Sequence, residues 1–241
     1  MMTLSRLART IKAVILNQDS LTNLRSIEIY YEEEKTWSLP LNLLAQVYQT
    51  DKGGVRISGT SKHAYVDFYS ILFSSRRDEF LSILECGLGS NNPTVPSNMG
   101  ITGVPGASLR MWKYFFPNSQ VFGFDIDSNI IFQEERITTF VGDQLNPTEL
   151  KASLNKISTK FDLIIDDGLH SYESITKMME ACFDFLDTSG VYVVEDLDLD
   201  LVKRMRAFLK KFSIDHFHYF VSFRETNYRD QGGWLLIIQK T

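Results

Sequence analysis

The hydrophobic pattern from residue 80 onward alternates between two kinds of apolar segment. Longer segments with apolar residues at helical spacing, such as ASLRMWKYFF and ESITKMMEACFDFL, separate shorter apolar runs that are mostly β-branched. Alternating strands and helices of this kind predict a parallel sheet that is covered on both faces. The five predicted strands are FLSILEC (80–86), QVFGFD (120–125), ITTFVG (137–142), FDLIID (161–166) and GVYVVED (190–196).

A charged helix and two more strands complete the pattern. The helix is DLVKRMRAFLKKF, and the strands HFHYFVSF and GGWLLIIQK are close enough in sequence to form a hairpin. We therefore predict an α/β fold of the Rossmann-like, doubly wound type. Its sheet is mostly parallel and seven-stranded, with a C-terminal antiparallel hairpin and a short N-terminal extension.

Residues 1–75 are less regular and are predicted to form a helical extension or lid, followed by the main domain at 76–241. A small hairpin is expected around SIEIYYEEEKTWSLP, and the glycine-punctuated stretch after it leads into a helix. An amphipathic N-terminal helix would pack on the body, on another subunit or on a membrane surface. Its apolar positions at helical spacing are Leu4, Leu7, Ile11, Val14 and Ile15.

Composition narrows the functional classes. The 241 residues are 44% hydrophobic and 23% charged, which is typical of one principal globular domain. A net charge of −5 argues against nucleic-acid binding and favours a small-molecule partner. The two cysteines, Cys86 and Cys182, form no CxxC motif, so no disulfide framework or zinc site is indicated and a reducing cytoplasm is expected. No transmembrane segment is predicted.

The first predicted strand ends in a short glycine motif, Glu85-Cys86-Gly87-Leu88-Gly89. Glycines at such a turn let the backbone approach a ligand, and the preceding carboxylate can accept hydrogen bonds from it. A dinucleotide-binding loop would carry a third glycine and run directly into a helix. Asn92 takes that position here, and a longer loop follows, which disfavours binding of NAD.

The next two strands also end in polar residues. Asp125 follows the second strand and is placed to hold a ribose diol. Asp143 and Gln144 follow the third strand, where their side chains could read an adenine edge. Each acid has an alternative role as a helix cap or a solvated turn residue.

The fourth and fifth strands deliver the strongest chemical signal. Asp166, Asp167 and His170 follow the fourth strand, and Glu195 and Asp196 end the fifth. Neighbouring parallel strands lie about 5 Å apart, so these acids would meet and would repel one another unless a cation were present. Hard oxygen ligands suit Mg²⁺. The alternatives are an aspartate cap with a glycine turn, acids that complement a helix dipole, and a structural histidine.

The order of these motifs resembles that of the class I S-adenosylmethionine-dependent methyltransferases. More particularly, PGASLRMWKYFFPNSQVFGFDID, FDLIIDDGLH and GVYVVEDL resemble the macrolide sugar O-methyltransferases of the mycinamicin and macrocin type and related bacterial glycan-modifying enzymes. The resemblance covers about 80–241, and a weaker similarity extends to TDKGG…SKHAYVDFY. The longer loop at 90–106 and the shorter extension depart from the family, so acceptor and assembly are not implied.

The resemblance implies roles for particular residues. Magnesium ligands would be Asp167, Glu195 and Asp196, and His170 would be the general base beside Asp167. Asp166 would face the cofactor or orient the ligands. The residues expected at the S-adenosylmethionine site are Glu85, Gly87, Gly89, Ser108, Asp125, Asp143, Gln144 and Asp166.

The expected function is therefore Mg²⁺-dependent O-methylation of a sugar hydroxyl on a glycan or glycosylated metabolite. We expect a small-molecule or glycan acceptor and a homo-oligomer. Three alternatives stay open at this point: an NAD-dependent oxidoreductase, a noncatalytic S-adenosylmethionine-binding protein, and methylation of a small catechol-like diol.

Overall fold

A computed structural model describes residues 14–19, 24–30, 39–53, 63–79, 81–157, 159–212, 215–224 and 233–241. The helices are α1 Leu39–Tyr48, α2 Tyr65–Phe73, α3 Ala107–Phe115, α4 Pro147–Ile157, α5 Tyr172–Cys182 and α6 Leu199–Leu209. The strands are β1 Val14–Asp19, β2 Leu24–Tyr30, β3 Ser82–Cys86, β4 Gln120–Asp125, β5 Gln133–Glu134, β6 Ile137–Val141, β7 Phe161–Asp166, β8 Leu186–Leu197, β9 His216–Arg224 and β10 Trp234–Lys240.

The ten strands within the described residues form one sheet, in the order β1-β2-β9-β10-β8-β7-β3-β4-β6-β5. The five strands from β6 to β8 in this order are parallel to one another. Strand β10 is antiparallel to both β8 and β9, which forms the expected C-terminal hairpin. The predicted doubly wound α/β fold is confirmed, and β1, β2 and β5 extend the sheet beyond the seven predicted strands.

The N-terminal strands correct two expectations. Val14 and Ile15 belong to β1 and not to an amphipathic helix, because these β-branched residues pair antiparallel with β2. Strand β2 takes β1 as its hairpin partner instead of forming a hairpin within SIEIYYEEEKTWSLP, and it lies parallel to the outer strand β9. An outer strand offers unpaired backbone groups that favour such an addition. The remainder of the predicted helix, at 1–13, lies outside the described residues.

The core lies on both faces of the sheet. In β7, Leu163 and Ile165 pack into one cluster and Ile164 into the other, because alternate side chains of a strand point to opposite faces. The first cluster includes side chains from α1 and α2, so the described helices of the predicted extension cover the same face as α3. Within the described ranges, no helix has the length and apolar character needed to cross a membrane.

Candidate active site

A cavity of about 380 Å³ lies at the carboxyl ends of the parallel strands. This is the rim where ligands bind in doubly wound sheets, and the volume is in the range of small-molecule sites. The rim is formed by the ends of the parallel strands β3, β4, β6, β7 and β8. It therefore brings together residues that are far apart in sequence. Among the residues that line the cavity are Gly87, Gly89, Asp125, Asp143, Asp167 and His170.

The loop after β3 requires its two glycines. Gly87 has φ +89° and Gly89 has φ +81°, in the left-handed region that favours glycine. A Cβ atom on Gly87 would lie 2.1 Å from the backbone oxygen of Asp167, and one on Gly89 would lie 2.0 Å from Met99 Sδ. The loop therefore forms a cradle that only a residue without a side chain permits.

Glu85 lies behind this loop and is fully buried. Its Oε1 accepts a hydrogen bond from Ser108 Oγ at 2.7 Å, and its Oε2 accepts one from Trp112 Nε1 at 2.6 Å. Two of the expected cofactor residues, Glu85 and Ser108, are thus bonded to each other. Together with Trp112 they fix the start of α3 against the end of β3.

Asp125 connects the loops that follow β3 and β4. Its Oδ2 accepts the backbone N–H of Leu88 at 2.7 Å, and its Oδ1 accepts that of Asp127 at 3.0 Å. Asp127 in turn accepts hydrogen bonds from Ser90 and Asn129, which lower the pKa of its carboxyl. The glycine loop is therefore held in place by two carboxylates, of which Asp125 lines the cavity.

Gln144 and Asp166 form a buried support under the cavity. Gln144 Nε2 donates to Asp166 Oδ1 at 2.9 Å, and Gln144 Oε1 accepts the backbone N–H of Leu169 at 2.6 Å. Burial raises the pKa of Asp166 to about 6, although the bond from Gln144 opposes this shift. Asp166 is only 1% exposed, so its position favours orientation of the loop after β7 over contact with a ligand.

Asp143 lines the cavity, and its Oδ1 accepts the N–H of Leu145 at 2.8 Å.

Asp167, His170 and Asp196 form an outer cluster at the mouth of the cavity. Each offers one ligand atom, and these atoms all lie within 4.8 Å of one another. His170 Nε2 is 3.8 Å from Asp167 Oδ1 and 3.8 Å from Asp196 Oδ2. The three side chains are between 22% and 29% exposed. The donor types and spacing fit a divalent cation with room for water or substrate oxygens.

Glu195 belongs to a separate inner cluster. It is 1% exposed, its Oε2 lies 2.5 Å from Lys52 Nζ, and its Oε1 accepts a hydrogen bond from Tyr69 at 2.6 Å. Lys52 Nζ also lies 2.5 Å from Asp167 Oδ2 and 3.5 Å from Glu85 Oε1. In this structure the expected ligands Asp167, Glu195 and Asp196 are divided between the two clusters: both Glu195 oxygens have protein partners, and Asp167 contacts both clusters.

Lys52 is the main site residue that sequence reasoning missed. Its side chain is 2% exposed, and burial opposes its charge, but Asp167, Glu195 and Glu85 outweigh this and raise the pKa well above its usual value. The backbone oxygen of Lys52 accepts the N–H of Val66 at 3.0 Å, which ties its loop to the start of α2. The only sequence signal is a lysine before two glycines in TDKGG.

Two aromatic residues of α2 complete the acidic clusters. Tyr69 donates to Glu195 in the inner cluster, and Tyr65 donates to Asp196 Oδ1 in the outer one. His63 Nε2 lies 3.5 Å from Asp196 Oδ1, and its ring stacks on Tyr65. Residues before position 75 therefore contribute directly to the site.

Comparisons of the sequence identify relatives over part of the chain. Demethylmacrocin O-methyltransferase of Streptomyces fradiae is 38% identical over 160 residues, which are 65% of this chain and 36% of the relative. Mycinamicin VI 2''-O-methyltransferase of Micromonospora griseorubida is 34% identical over 135 residues, covering 56% of this chain and 32% of the relative. The chain thus spans only about a third of the length of these curated relatives. No family model matches.

A solved structure resembles most of this chain. It is the MycE methyltransferase from the mycinamycin biosynthetic pathway in complex with Mg, SAH and mycinamycin VI. The match has a TM-score of 0.61 and 25% sequence identity, and it covers 83% of this chain and 54% of the other.

Proposed function

We propose that this chain, a homologue of the macrolide sugar O-methyltransferases with the class I methyltransferase fold, transfers a methyl group from S-adenosylmethionine to a sugar hydroxyl. One observation carries the proposal. The glycine cradle at Gly87 and Gly89 and the outer cluster of Asp167, His170 and Asp196 open into the same cavity. A cofactor and an activated acceptor would therefore meet there.

The cofactor would bind at the ends of β3, β4 and β6. Gly87 and Gly89 would let the backbone approach the cofactor closely. Asp125 and Asp143 line the cavity, where they would contact the ribose and the adenine respectively. S-adenosylmethionine, when bound, supplies a sulfonium methyl group for direct displacement by an acceptor oxygen. Glu85, Ser108, Gln144 and Asp166 would support this pocket from behind through the hydrogen bonds that link them in pairs.

A magnesium ion would bind at the outer cluster. Asp167 and Asp196 provide carboxylate oxygens beside the cavity, and the donor set fits a hard cation. When bound, the ion would lower the pKa of an acceptor hydroxyl. Glu195, the third expected ligand, would reach the ion only if it released Lys52 or Tyr69.

His170 is the proposed general base. Its Nε2 lies 3.8 Å from both outer carboxylates and faces the cavity, so it can accept a proton from a hydroxyl held beside them. Holding the acceptor oxygen in line with the methyl group contributes several kcal/mol to such a reaction, at about the level of effective-molarity effects.

The remaining expectations are part of this proposal. The acceptor would be a glycosylated small molecule or a glycan, which the names of the relatives support. Two free, buried cysteines suit a reducing cytoplasm. We also propose a homo-oligomer, and a catalytic domain at 76–241 whose site is completed by the extension at 1–75.

The test combines turnover with binding. Purified protein is incubated with methyl-labelled S-adenosylmethionine and a panel of glycosylated metabolites, with Mg²⁺ or with EDTA. We expect transfer to at least one sugar hydroxyl, loss of transfer in EDTA, and loss in Asp167→Asn.

Calorimetry with S-adenosylhomocysteine and NADH separates the alternatives. Binding of NADH alone would favour an oxidoreductase. Binding of S-adenosylhomocysteine without transfer to any acceptor would favour a noncatalytic binding protein. Turnover that is unchanged in EDTA would rule out the ion but leave the transferase.

A further inference from the structure

The acidic residues around the cavity contain an internal cation. The ammonium of Lys52 lies 2.5 Å from an oxygen of Asp167, 2.5 Å from one of Glu195 and 3.5 Å from one of Glu85. Its side chain is 2% exposed, so water contributes little to its charge balance. The lysine therefore already neutralises part of the charge that a divalent ion would otherwise balance.

Lys52 divides the oxygens of Asp167 between two environments. Oδ2 faces Lys52, whereas Oδ1 faces His170 and the outer cluster. Glu195 has both oxygens engaged, one by Lys52 and one by Tyr69. Among the residues that the structure describes, the outer oxygen of Asp167 and one oxygen of Asp196 thus join His170 in a cation-sized group.

We propose that Lys52 is a positioning residue that acts as a built-in cation: it holds Glu195 and the inner oxygen of Asp167, confines a divalent ion to the outer cluster, and weakens the binding of that ion. The proposal rests on the proposed function only for the presence of an ion. It assigns the inner cluster to charge balance and the outer cluster to metal and substrate.

Repulsion between Lys52 and a bound ion sets the direction of the effect on ion affinity. A divalent ion on Asp167 Oδ1 would lie on the other oxygen of the carboxylate that Lys52 contacts, and two cations about 5 Å apart repel strongly in a partly buried site. Removing the ammonium removes this repulsion. It also makes the oxygens of Glu195 and Asp167 available as hard ligands. Both changes tighten the binding of a divalent ion.

The first experiment measures Mn²⁺ binding by electron paramagnetic resonance, with neither cofactor nor acceptor present. We expect Lys52→Met to bind Mn²⁺ about tenfold or more tightly than wild type. The double variant Lys52→Met/Glu195→Gln removes the ion pair as a unit and is expected to return to within about threefold of wild type. A purely structural role for Lys52 would weaken binding in both variants.

The second experiment covers the case in which Lys52→Met is unstable. Removing one partner of a buried ion pair leaves uncompensated charge, so its melting temperature should fall. Millimolar Mg²⁺ should raise the melting temperature of Lys52→Met well above its value in EDTA, because the ion replaces the missing ammonium. Wild type and the exposed-site control Lys203→Met should change much less.

Two results would overturn the inference. One is Mn²⁺ affinity in folded Lys52→Met that is unchanged or weaker; the other is a Mg²⁺-induced rise in melting temperature no larger than in wild type. Calorimetry with S-adenosylhomocysteine on the same preparations separates this from the proposed function. Loss of cofactor binding with the Mn²⁺ pattern intact would reject the transferase and keep the role of Lys52.

Discussion

The inner and outer clusters use the same residue types in different ways. Glu85 and Glu195 are almost fully buried and bonded to Ser108, Trp112, Lys52 and Tyr69. Asp167 and Asp196 are 22% and 29% exposed, and each has a carboxylate oxygen 3.8 Å from His170 Nε2. A carboxylate at the rim of this sheet is therefore available for chemistry where it is partly exposed and one of its oxygens faces His170, even though its other oxygen has a protein partner.

The inner cluster supports the backbone that carries the outer cluster. The inner ion pairs fix the end of β8, which carries Asp196. They also fix the loop of Lys52, whose backbone is hydrogen-bonded to the start of α2 beside Tyr65. The outer residues His170 and Asp196 have positive φ values of 53° and 56°. Such backbone positions persist only where surrounding structure fixes them.

The largest effect should come from the outer cluster. His170→Ala removes the proposed base and should lower kcat about 10²- to 10⁴-fold, while the affinity for S-adenosylhomocysteine stays within about twofold. Radiolabel transfer and calorimetry measure the two quantities. His218→Ala on β9, away from the cavity lining, is the matched control. An unchanged kcat in His170→Ala would contradict the proposed role of His170 as the general base.

The next effect should come from the point where the two clusters meet. Gly87→Ala places a Cβ atom 2.1 Å from the backbone oxygen of Asp167, in addition to left-handed strain. We expect a loss of about 2–5 kcal/mol in the free energy of unfolding and weak cofactor binding. Gly100→Ala is the control, because Gly100 has φ +73° with no atom within 4 Å of the added group. Equal losses in the two variants would contradict the contact argument.

Asp166 is a buried carboxylate whose side-chain hydrogen-bond donor is the neutral amide of Gln144, and it should make the stability of the protein depend on pH. Burial raises the pKa of Asp166 from 3.8 to about 6, so the folded protein binds more protons than the unfolded chain between these values. The contribution of this carboxyl to the stability of wild type therefore falls as the pH rises toward 6 and stays low above it. Asp166→Asn removes this penalty and should gain up to about 3 kcal/mol at pH 8, with little gain at pH 4.

Denaturant unfolding at the two pH values measures the effect. Asp187→Asn, at an exposed position of β8, is the control. A difference between Asp166→Asn and wild type that does not change with pH would show that burial does not control this proton.

The smallest effects should distinguish the two tyrosines of α2. Tyr69→Phe leaves an oxygen of buried Glu195 without its donor and should cost about 1–3 kcal/mol of unfolding free energy. Tyr65→Phe affects Asp196, where water can replace the hydroxyl, and should cost about 0.5–1.5 kcal/mol. Urea titrations compare the pair directly. A larger loss of unfolding free energy in Tyr65→Phe than in Tyr69→Phe would contradict the assignment of Glu195 to a buried inner cluster and Asp196 to a solvated outer one.

The central strands could be predicted because burial on both faces leaves a continuous apolar run. The predicted bounds of β4 and β7 match the structure, and those of β3 and β6 differ only at the ends. Strand β1 could not be predicted in this way. Val14 and Ile15 fit both a helical and an extended pattern, and the choice depends on an edge strand that comes from the far end of the chain.

The site was only partly predictable for a similar reason. The carboxyl ends of parallel strands share one rim, so sequence alone could place Asp125, Asp167 and His170 near one another. It could not show that Lys52 inserts among the acids, because that contact joins segments 115 residues apart without a periodic signal. For the same reason it could not separate Glu195 from its neighbour Asp196.

The parallel pairing of β2 with β9 has a consequence for biogenesis. Ser26 aligns with Phe220, so this edge of the sheet joins the first and last parts of the described chain. Such distant pairing slows folding, since a long loop must close before the contact forms. During synthesis the N-terminal hairpin emerges from the ribosome long before its partner strand, and it docks only once translation of β9 is complete.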